Sequence, residues 1–375
     1  MNTFNKKIIL SKFPQGAISR DIFKLFESRL LPVPLKNEVL CKILTLSIDP
    51  ALFARLRNDD NYAPKAKEGD VMPCYGIAQI VESNSNRFKK GNMIFGLTGI
   101  QQYCVLHESE IRKINPYLFP YSLNLSIFGI AGITAYFGLF DILKIKKGET
   151  LVVSAAVGSV GSIVCQLAKI KGCRTVAITS SKEKMKYAIE QLGCHAAVSY
   201  HSPTFPSDLK DACPNGIDAY FDNIGGDIPN YLLPLYNTHA RIALCGRMAL
   251  QHLDSEQEDI GIRDHTSLVR KRIRKEGFVI IDYSHRYSEA TLQLLAWYKK
   301  GLLKIAENKS SGIETCPDAL LGLLESKNIG KQLVEVAHPD IHFNKSEYFA
   351  AKIINSKIFP TQLVASILRR IHKKN

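Results

Sequence analysis

What this 375-residue sequence lacks narrows it quickly. It has no C-x-x-C pair and an odd number of cysteines, nine, which argues against a disulfide framework and against a cysteine-rich structural zinc site. It has no stretch approaching the ~18 consecutive apolar residues of a membrane span. Near its start, Lys6 and Lys7 precede only Ile8-Ile9-Leu10, too short for the apolar core of a secretory leader. Acids are scarce relative to bases: 35 Asp and Glu against 49 Lys and Arg leave a formal charge of +14. A field of that sign suits an enzyme with an anionic ligand; contact with nucleic acid or an anionic membrane is the alternative. The apolar fraction, 46%, and the charged fraction, 22%, are those of an ordinary globular protein, long enough here for two cored domains. The cysteines are expected to be small buried hydrophobes, in a cytoplasmic, reducing setting.

What is present is concentrated in Glu149-Thr-Leu-Val-Val-Ser-Ala-Ala-Val-Gly158-Ser-Val-Gly161-Ser-Ile-Val-Cys-Gln-Leu-Ala-Lys169. A short β-branched run ends in small residues. Two glycines follow at a three-residue spacing, and an amphipathic helical pattern begins. That order predicts a strand, a tight turn and a helix. Its backbone N–H groups, with the helix dipole behind them, attract phosphate. Gly158, Ser159, Val160 and Gly161 are the expected contacts of a dinucleotide, although Ala156 stands where the usual fingerprint has its first glycine.

Around this turn strands and helices alternate: strands at 150–156, 174–180, 196–200, 217–223, 240–246 and 278–283, helices at 160–171, 181–192 and 288–300. This predicts a doubly wound parallel sheet. The first ~125 residues instead carry short strand-like runs between turn residues (38–46, 76–82, 93–96, 103–106), predicting an antiparallel β domain. A β–helix–β pattern resumes at 303–306, 317–326 and 332–336. The expected organisation is therefore a nucleotide domain, 126–302, inserted in a discontinuous domain, 1–125 plus 303–337. A basic extension, 338–375, follows. In it Leu363, Val364, Ile367, Leu368 and Ile371 recur at helical spacing ahead of Arg369, Arg370, Lys373 and Lys374. Such a helix docks on the body or on a second subunit, or else serves as a basic membrane or partner helix.

The second strand ends in Thr179-Ser-Ser-Lys-Glu-Lys184. An NAD site places an acid there for the ribose 2′-hydroxyl; hydroxyls and lysines suit a 2′-phosphate instead, with Glu183 turned away. The expected cofactor is NADP(H), with Lys184 on its phosphate.

Seven segments in order, Gly132-Ile-Thr-Ala-Tyr-Phe-Gly-Leu139, Ala155-Ala-Val-Gly-Ser-Val-Gly161, Lys169-Ile-Lys-Gly-Cys173, Phe221-Asp-Asn-Ile-Gly-Gly226, Leu244-Cys-Gly246, Gly277-Phe-Val-Ile-Ile-Asp-Tyr283 and Asn328-Ile-Gly-Lys331, closely resemble the zinc-independent medium-chain dehydrogenase/reductase family. The branch is that of the NADPH-dependent alkenal double-bond reductases, which includes the prostaglandin reductases. The resemblance covers roughly residues 35–337. It implies a GroES-like β domain around an inserted Rossmann domain, an α/β fold. It implies cofactor contacts from Lys184, Tyr200, Asn223 and Asn328, with Gly246 and Phe278 within its motifs, and a homodimer. A zinc alcohol dehydrogenase would need a Gly-His-Glu ligand motif and catalytic cysteines. Val71-Met-Pro-Cys-Tyr75 has no His or Glu, and His107-Glu108 stands alone, so no metal is expected.

The implied activity is reduction of the activated C=C bond of α,β-unsaturated aldehydes and ketones, with hydride going to the β-carbon. Charge then develops on the carbonyl oxygen and calls for hydrogen-bond donors. Here the sequence departs from the family. Ala249-Leu-Gln-His252 replaces Ser-x-Tyr-Asn, so Gln251 stands for the tyrosine and His252 for the asparagine. A glutamine amide can donate a hydrogen bond but cannot release a proton at neutral pH; a histidine can do both. Asp49-Pro-Ala-Leu-Phe-Ala54 replaces Asp-Pro-Tyr-Met-Arg-Gly, Gly99-Ile-Gln-Gln-Tyr103 replaces Gly-Trp-x-x-Tyr, and Met72-Pro-Cys-Tyr75 replaces Met-x-Gly-Gly. Tyr103 and Tyr75 are candidate pocket phenols. The expected catalytic set is His252, Gln251 and Tyr103, acting on an enone, an enal or, alternatively, a quinone. A weakly active NADP-binding protein whose basic tail holds a membrane, RNA or protein partner is a further alternative.

Overall fold

The computed structural model describes residues 4–57, 63–114, 120–251 and 260–340. The chain folds as two units: one takes it up to Leu125 and resumes at Glu307, and the other is Ser126–Ala306.

The first unit opens with an antiparallel pair, β1 (Asn5–Leu10) and β2 (Phe23–Ser28). It continues through β3 (Glu38–Ile48), the single turn α1 (Ala51–Ala54), β4 (Tyr75–Ser83), β5 (Met93–Leu97), β6 (Tyr103–His107) and β7 (Arg112–Lys113). β3 is the long strand on which the others register. One edge pairs antiparallel with β4, and the other edge is divided, Glu38–Lys42 pairing with β6. Its residues are almost all buried, so it reads in sequence as a continuous apolar run.

The second unit contains α2 (Ile130–Phe137), β8 (Thr150–Val153), α3 (Gly161–Lys171), β9 (Arg174–Thr179), α4 (Lys182–Glu190), β10 (Ala196–Ser199), α5 (Phe205–Ala212), β11 (Ile217–Asp222), α6 (Ile228–Leu232), β12 (Tyr236–Leu244), α7 (His265–Lys271), β13 (Arg274–Gly277) and α8 (Tyr287–Lys299). The six strands are all parallel, in the spatial order β10-β9-β8-β11-β12-β13. Counted from β8 this is 3-2-1-4-5-6, the doubly wound nucleotide-binding order. It reverses between β8 and β11, and the crevice past the C-terminal ends of these two strands is where such sheets bind ligands. The chain then returns to the first unit with β14 (Glu307–Ser311), α9 (Cys316–Leu324) and β15 (Lys331–Glu335). β15 takes the Thr45–Ile48 half of the divided edge of β3 and pairs parallel with β14.

Two expected strands are displaced. The sixth strand of the parallel sheet is Arg274–Gly277, not 278–283. An edge strand needs no continuous apolar run, and this one is polar and largely exposed. The apolar residues after it serve another purpose. Phe278 packs edge-on against Phe221, and Ile280–Arg286 is a 3₁₀ turn whose Tyr283 stacks on Phe137 at 4.5 Å between centroids. Likewise the strand expected at 303–306 is the polar edge strand β14. β1, β2 and α5 had no counterpart in the sequence reading. All nine cysteines are free, and every one but the half-buried Cys245 is buried.

The first unit encloses a full ionic contact. Lys331, 2% exposed, pairs with Asp49, whose other carboxylate oxygen accepts from the Ser47 hydroxyl. Removing one partner of a buried pair strands the other. Lys331→Met should therefore destabilise the first unit by roughly 3 kcal/mol, the low end for such pairs because Ser47 still serves Asp49. A urea midpoint lowered accordingly is the expected result; an unchanged midpoint would show that water screens the pair.

Candidate active site

At the reversal point β8 runs into Ser154-Ala155-Ala156-Val157-Gly158-Ser159-Val160 before α3 begins. The turn is tight: Ala155 adopts the left-handed region, φ 46°, and the Gly158 N–H donates to the Ala155 carbonyl at 2.9 Å. A Cβ on Gly161 would lie 2.3 Å from the Ala155 carbonyl oxygen, so only glycine lets the helix start this close to the strand; at Gly158 the same oxygen would be 3.2 Å away. The N–H groups of Ser159 and Val160 donate to no described residue. They stand at the N-terminus of an 11-residue helix that has no side-chain cap, an arrangement that favours a phosphate.

Beside it, β9 ends in Thr179 and α4 starts after Ser181, whose Oγ caps the helix by accepting the Lys184 N–H at 3.3 Å. Lys184 is largely buried, which pulls its ammonium pKa down against the opposing charge of Glu183; Glu183 itself is exposed. A phosphate would return the counter-charge that burial takes away. Tyr200 follows the neighbouring β10, its N–H bonded to the Thr179 carbonyl at 3.1 Å. Thr179, Lys184 and Tyr200 are thus gathered at adjacent strand ends.

Across the reversal, β11 ends in Asp222, and this residue organises the crevice. It is 1% exposed. Its Oδ1 accepts from the Tyr220 hydroxyl (2.9 Å), the Ser154 hydroxyl (3.1 Å) and the N–H groups of Ile224 (3.0 Å) and Gly225 (2.9 Å). Its carbonyl accepts from Cys245 and Gly246 at the end of β12. Asn223 is fixed in turn: its N–H donates to Ser154 Oγ and its Nδ2 to the Ser154 carbonyl, at 2.9 and 2.8 Å. Gly246 closes the arrangement, since a Cβ there would meet the Asn223 carbonyl oxygen at 2.6 Å. The charge of Asp222 adds to burial in pushing the Cys245 thiol up to about 12, so Cys245 is no thiolate nucleophile at neutral pH. Sequence reading missed Asp222 and Ser154. The signal for Asp222 was its place in the Phe221-Asp-Asn-Ile-Gly-Gly226 segment at a strand end; Ser154 carried none.

Gln251 is held by its own turn: Nε2 donates to the Arg247 carbonyl at 3.4 Å, while Oε1 is buried with no donor among the described residues. His252 lies outside the described residues. Phe278 donates its N–H to the Leu244 carbonyl, and its ring packs over Gly138 and Phe221. Among the described residues no group of three or more His, Cys, Asp or Glu is placed to hold a metal, and no helix is long and apolar enough to cross a membrane.

Comparison with known proteins fits this geometry. A family model described as the N-terminal domain of oxidoreductase matches residues 6–114, and one described as zinc-binding dehydrogenase matches residues 159–297. A putative NADP-dependent oxidoreductase of Bacillus subtilis is 41% identical, over 90% of this chain and 100% of its own length. A 2-alkenal reductase (NADP⁺-dependent) of Nicotiana tabacum is 35% identical over 89% of this chain and 98% of its own. The crystal structure of CurA from Vibrio vulnificus in complex with NADPH superposes with a TM-score of 0.85 at 36% identity, covering 89% and 100%. The chain belongs to the medium-chain dehydrogenase/reductase family, in its alkenal double-bond reductase branch. It is an NADP-dependent oxidoreductase, its cofactor is NADP(H), and its fold is the family's GroES-like domain with a Rossmann domain.

The remaining family positions lie in the first unit. Tyr103 is half-buried on β6, its backbone bonded in both directions to the side chain of the buried Asn5. Asn328 donates Nδ2 to the Gly330 carbonyl at 2.8 Å. Tyr75 stacks on Phe95 at 5.3 Å. Of the residues that depart from the family pattern, Leu52, Phe53, Ala54, Cys74 and Ile100 are core.

The turn yields a graded prediction. Gly161→Ala should cost roughly 1–3 kcal/mol of stability through overpacking and weaken NADPH binding about tenfold or more, whereas Gly158→Ala should cost less stability. Thermal melts and NADPH fluorescence titration check the order; a larger stability loss for Gly158→Ala would place the crowding elsewhere.

Proposed function

We propose that this protein reduces the activated C=C bond of α,β-unsaturated aldehydes or ketones with NADPH, without a metal. The observation that carries the reading is the pairing of the Gly158–Gly161 turn with Lys184, a lysine instead of an acid, in a chain of the alkenal reductase branch. Bound there, NADPH supplies the hydride that goes to the β-carbon of the substrate. The backbone N–H groups of Ser159 and Val160 would take its pyrophosphate. Lys184, with Thr179, Ser180 and Tyr200 around it, would take the 2′-phosphate. Asn223, oriented by Ser154 and Asp222, together with Gly246, would line the cofactor from the β11 and β12 side, and Phe278 and Asn328 would add their backbone and amide groups.

Charge on the substrate oxygen needs a donor, and the α-carbon needs a proton. Gln251 can serve only the first need. His252 is assigned the second, and Tyr103 is a further donor to the oxygen. The absence of His and Glu from Val71–Tyr75 supports the metal-free reading. The reading takes with it a small-molecule substrate, a homodimer and a cytoplasmic site of action.

The test is NADPH oxidation against 2-alkenals, aryl enones and 1,4-quinones, with and without chelator. Turnover of enals or enones that survives chelation supports the reading. Quinone turnover alone would move the protein to quinone reduction, and inactivation by chelator would overturn the metal-free mechanism. Lys184→Met, which keeps the buried stem, should raise the KM for NADPH by roughly 10- to 100-fold, the worth of a charge-assisted hydrogen bond of about 1.5–3 kcal/mol, and leave that for NADH nearly unchanged. Equal effects on the two would remove the 2′-phosphate assignment. His252→Ala should lower kcat about 100-fold if that side chain delivers the proton; an unchanged rate ends the assignment.

A further inference from the structure

Outside the nucleotide crevice, the second unit carries a hollow of about 310 Å³ lined by Tyr136, Phe140, Ile170, Lys171, Gln293 and Trp297. Three elements build it: α2 with the π-helical turn Gly138–Ile142 that extends it, the last turn of α3, and α8. π-helical turns of this kind often mark functional sites. Here the turn begins at Gly138, where any Cβ would meet the rings of Phe221 and Phe278 within 2.8 Å, and it carries Phe140 alongside Tyr136.

The three aromatic rings form one cluster. Tyr136 and Phe140 have centroids 5.0 Å apart, Phe140 and Trp297 5.9 Å, and Tyr136 and Trp297 6.4 Å, with tilts of 38° to 62°. None of the three is fully buried, unlike the neighbouring Phe137. They therefore offer ring faces and edges to water or to a ligand, and a flat ring would add an offset or edge-on contact with each.

The polar groups of the lining point to the charge of the ligand. The indole N–H of Trp297, the amide of Gln293 and the ammonium of Lys171 have no hydrogen-bond or ion-pair partner among the described residues. The nearby acids are engaged: Glu289 accepts from the Tyr136 hydroxyl at 3.2 Å and pairs with Arg286 at 2.9 Å, and Arg286 also pairs with Asp141. Of the carbonyls in the last turn of α3, those of Lys169 and Ala168 are met by the N–H groups of Gly172 and Cys173. Lys171 is the one charged side chain of the lining, and no acid lines the hollow.

We propose that this hollow is a second binding site, distinct from the nucleotide crevice, for a small planar aromatic carboxylate. The ring rests on the exposed side of the Tyr136, Phe140 and Trp297 cluster, and the carboxylate meets Lys171 with Gln293 beside it. The volume sits at the low end of small-molecule pockets, which begin at roughly 300 Å³, so the ligand has one or two rings.

Trp297 is the sole tryptophan of the chain, and 4-iodobenzoate is a planar carboxylate whose heavy atom quenches indole fluorescence on contact. The full chain, held saturated with NADP⁺ so that the cofactor's own site is occupied, is titrated with it, and affinity is measured in parallel by calorimetry. The expected result is saturable quenching of Trp297. Lys171→Gln, a change at an exposed side chain, should weaken affinity roughly three- to fivefold, as for an exposed charge pair. Phe140→Leu should weaken it as well, with NADP⁺ binding of both variants unchanged and the melting temperature unchanged for Lys171→Gln. Quenching that rises linearly without saturation would overturn the site. Affinity indifferent to Lys171→Gln, or 4-iodobenzamide or 4-iodophenyltrimethylammonium binding as tightly as the carboxylate, would overturn the choice of an anion.

Discussion

The cofactor side of this protein depends on one buried side chain. Asp222 draws a hydroxyl from its own strand, a hydroxyl from the end of β8 and two N–H groups of its own loop onto a single carboxylate oxygen. A carboxylate out of water is costly unless donors surround it, and here the donors belong to the segments that must converge for a dinucleotide to bind. The Gly158–Gly161 turn, the Asn223 amide and the Gly246 approach are therefore not independent features. Ser154 links the first to the second, and the Asp222 carbonyl, which accepts from Cys245 and Gly246, links the second to the third. The Tyr236 hydroxyl, also within reach of the Asp222 field, is enclosed with no hydrogen-bond partner among the described residues.

The legible part of the fold follows from the same physics. Central parallel strands are covered on both faces, so β8, β9 and β11 are almost wholly buried and rich in apolar residues, and helices between them announce themselves by period and by glycine ends. The edge strand β10 was legible, but two other edges were not. β13 and β14 are polar because each is bonded along one side only, and an apolar run next to a polar edge strand draws the reading toward itself, as Phe278–Tyr283 did. The six-strand order could be anticipated from the alternation. The divided edge of β3 could not, since it pairs residues some 60 positions apart on one half and nearly 290 on the other.

In the site, residue type was the readable signal and position the unreadable one. Glycines at a strand–helix junction and a lysine after the second strand identify a phosphate by chemistry alone. Ser154, an undistinguished serine in a small-residue turn, acquires its role only because β8 and β11 are neighbours. The aromatic hollow is of the same kind: Tyr136 and Trp297 are 161 positions apart, and nothing in either segment announces the other.

The departures from the family pattern can now be weighed by where they sit. Leu52, Phe53 and Ala54 are core residues, held by the turn that follows Asp49 and its pair with Lys331; Cys74 and Ile100 are core as well. A substituted core residue acts on its neighbours through volume and shape, not by presenting a functional group. The changes at these core positions can alter what shape of substrate is admitted, while Ala51 and Tyr75, in place of the family's tyrosine and glycine, remove one phenol and add another. Gln251 is different. It replaces a phenol with a group that has no titratable proton, and its own amide N–H is already turned to the Arg247 carbonyl. The Ala249–His252 segment therefore carries a chemical departure, the loss of a titratable phenol at Gln251, beside the mostly buried substitutions of the first unit.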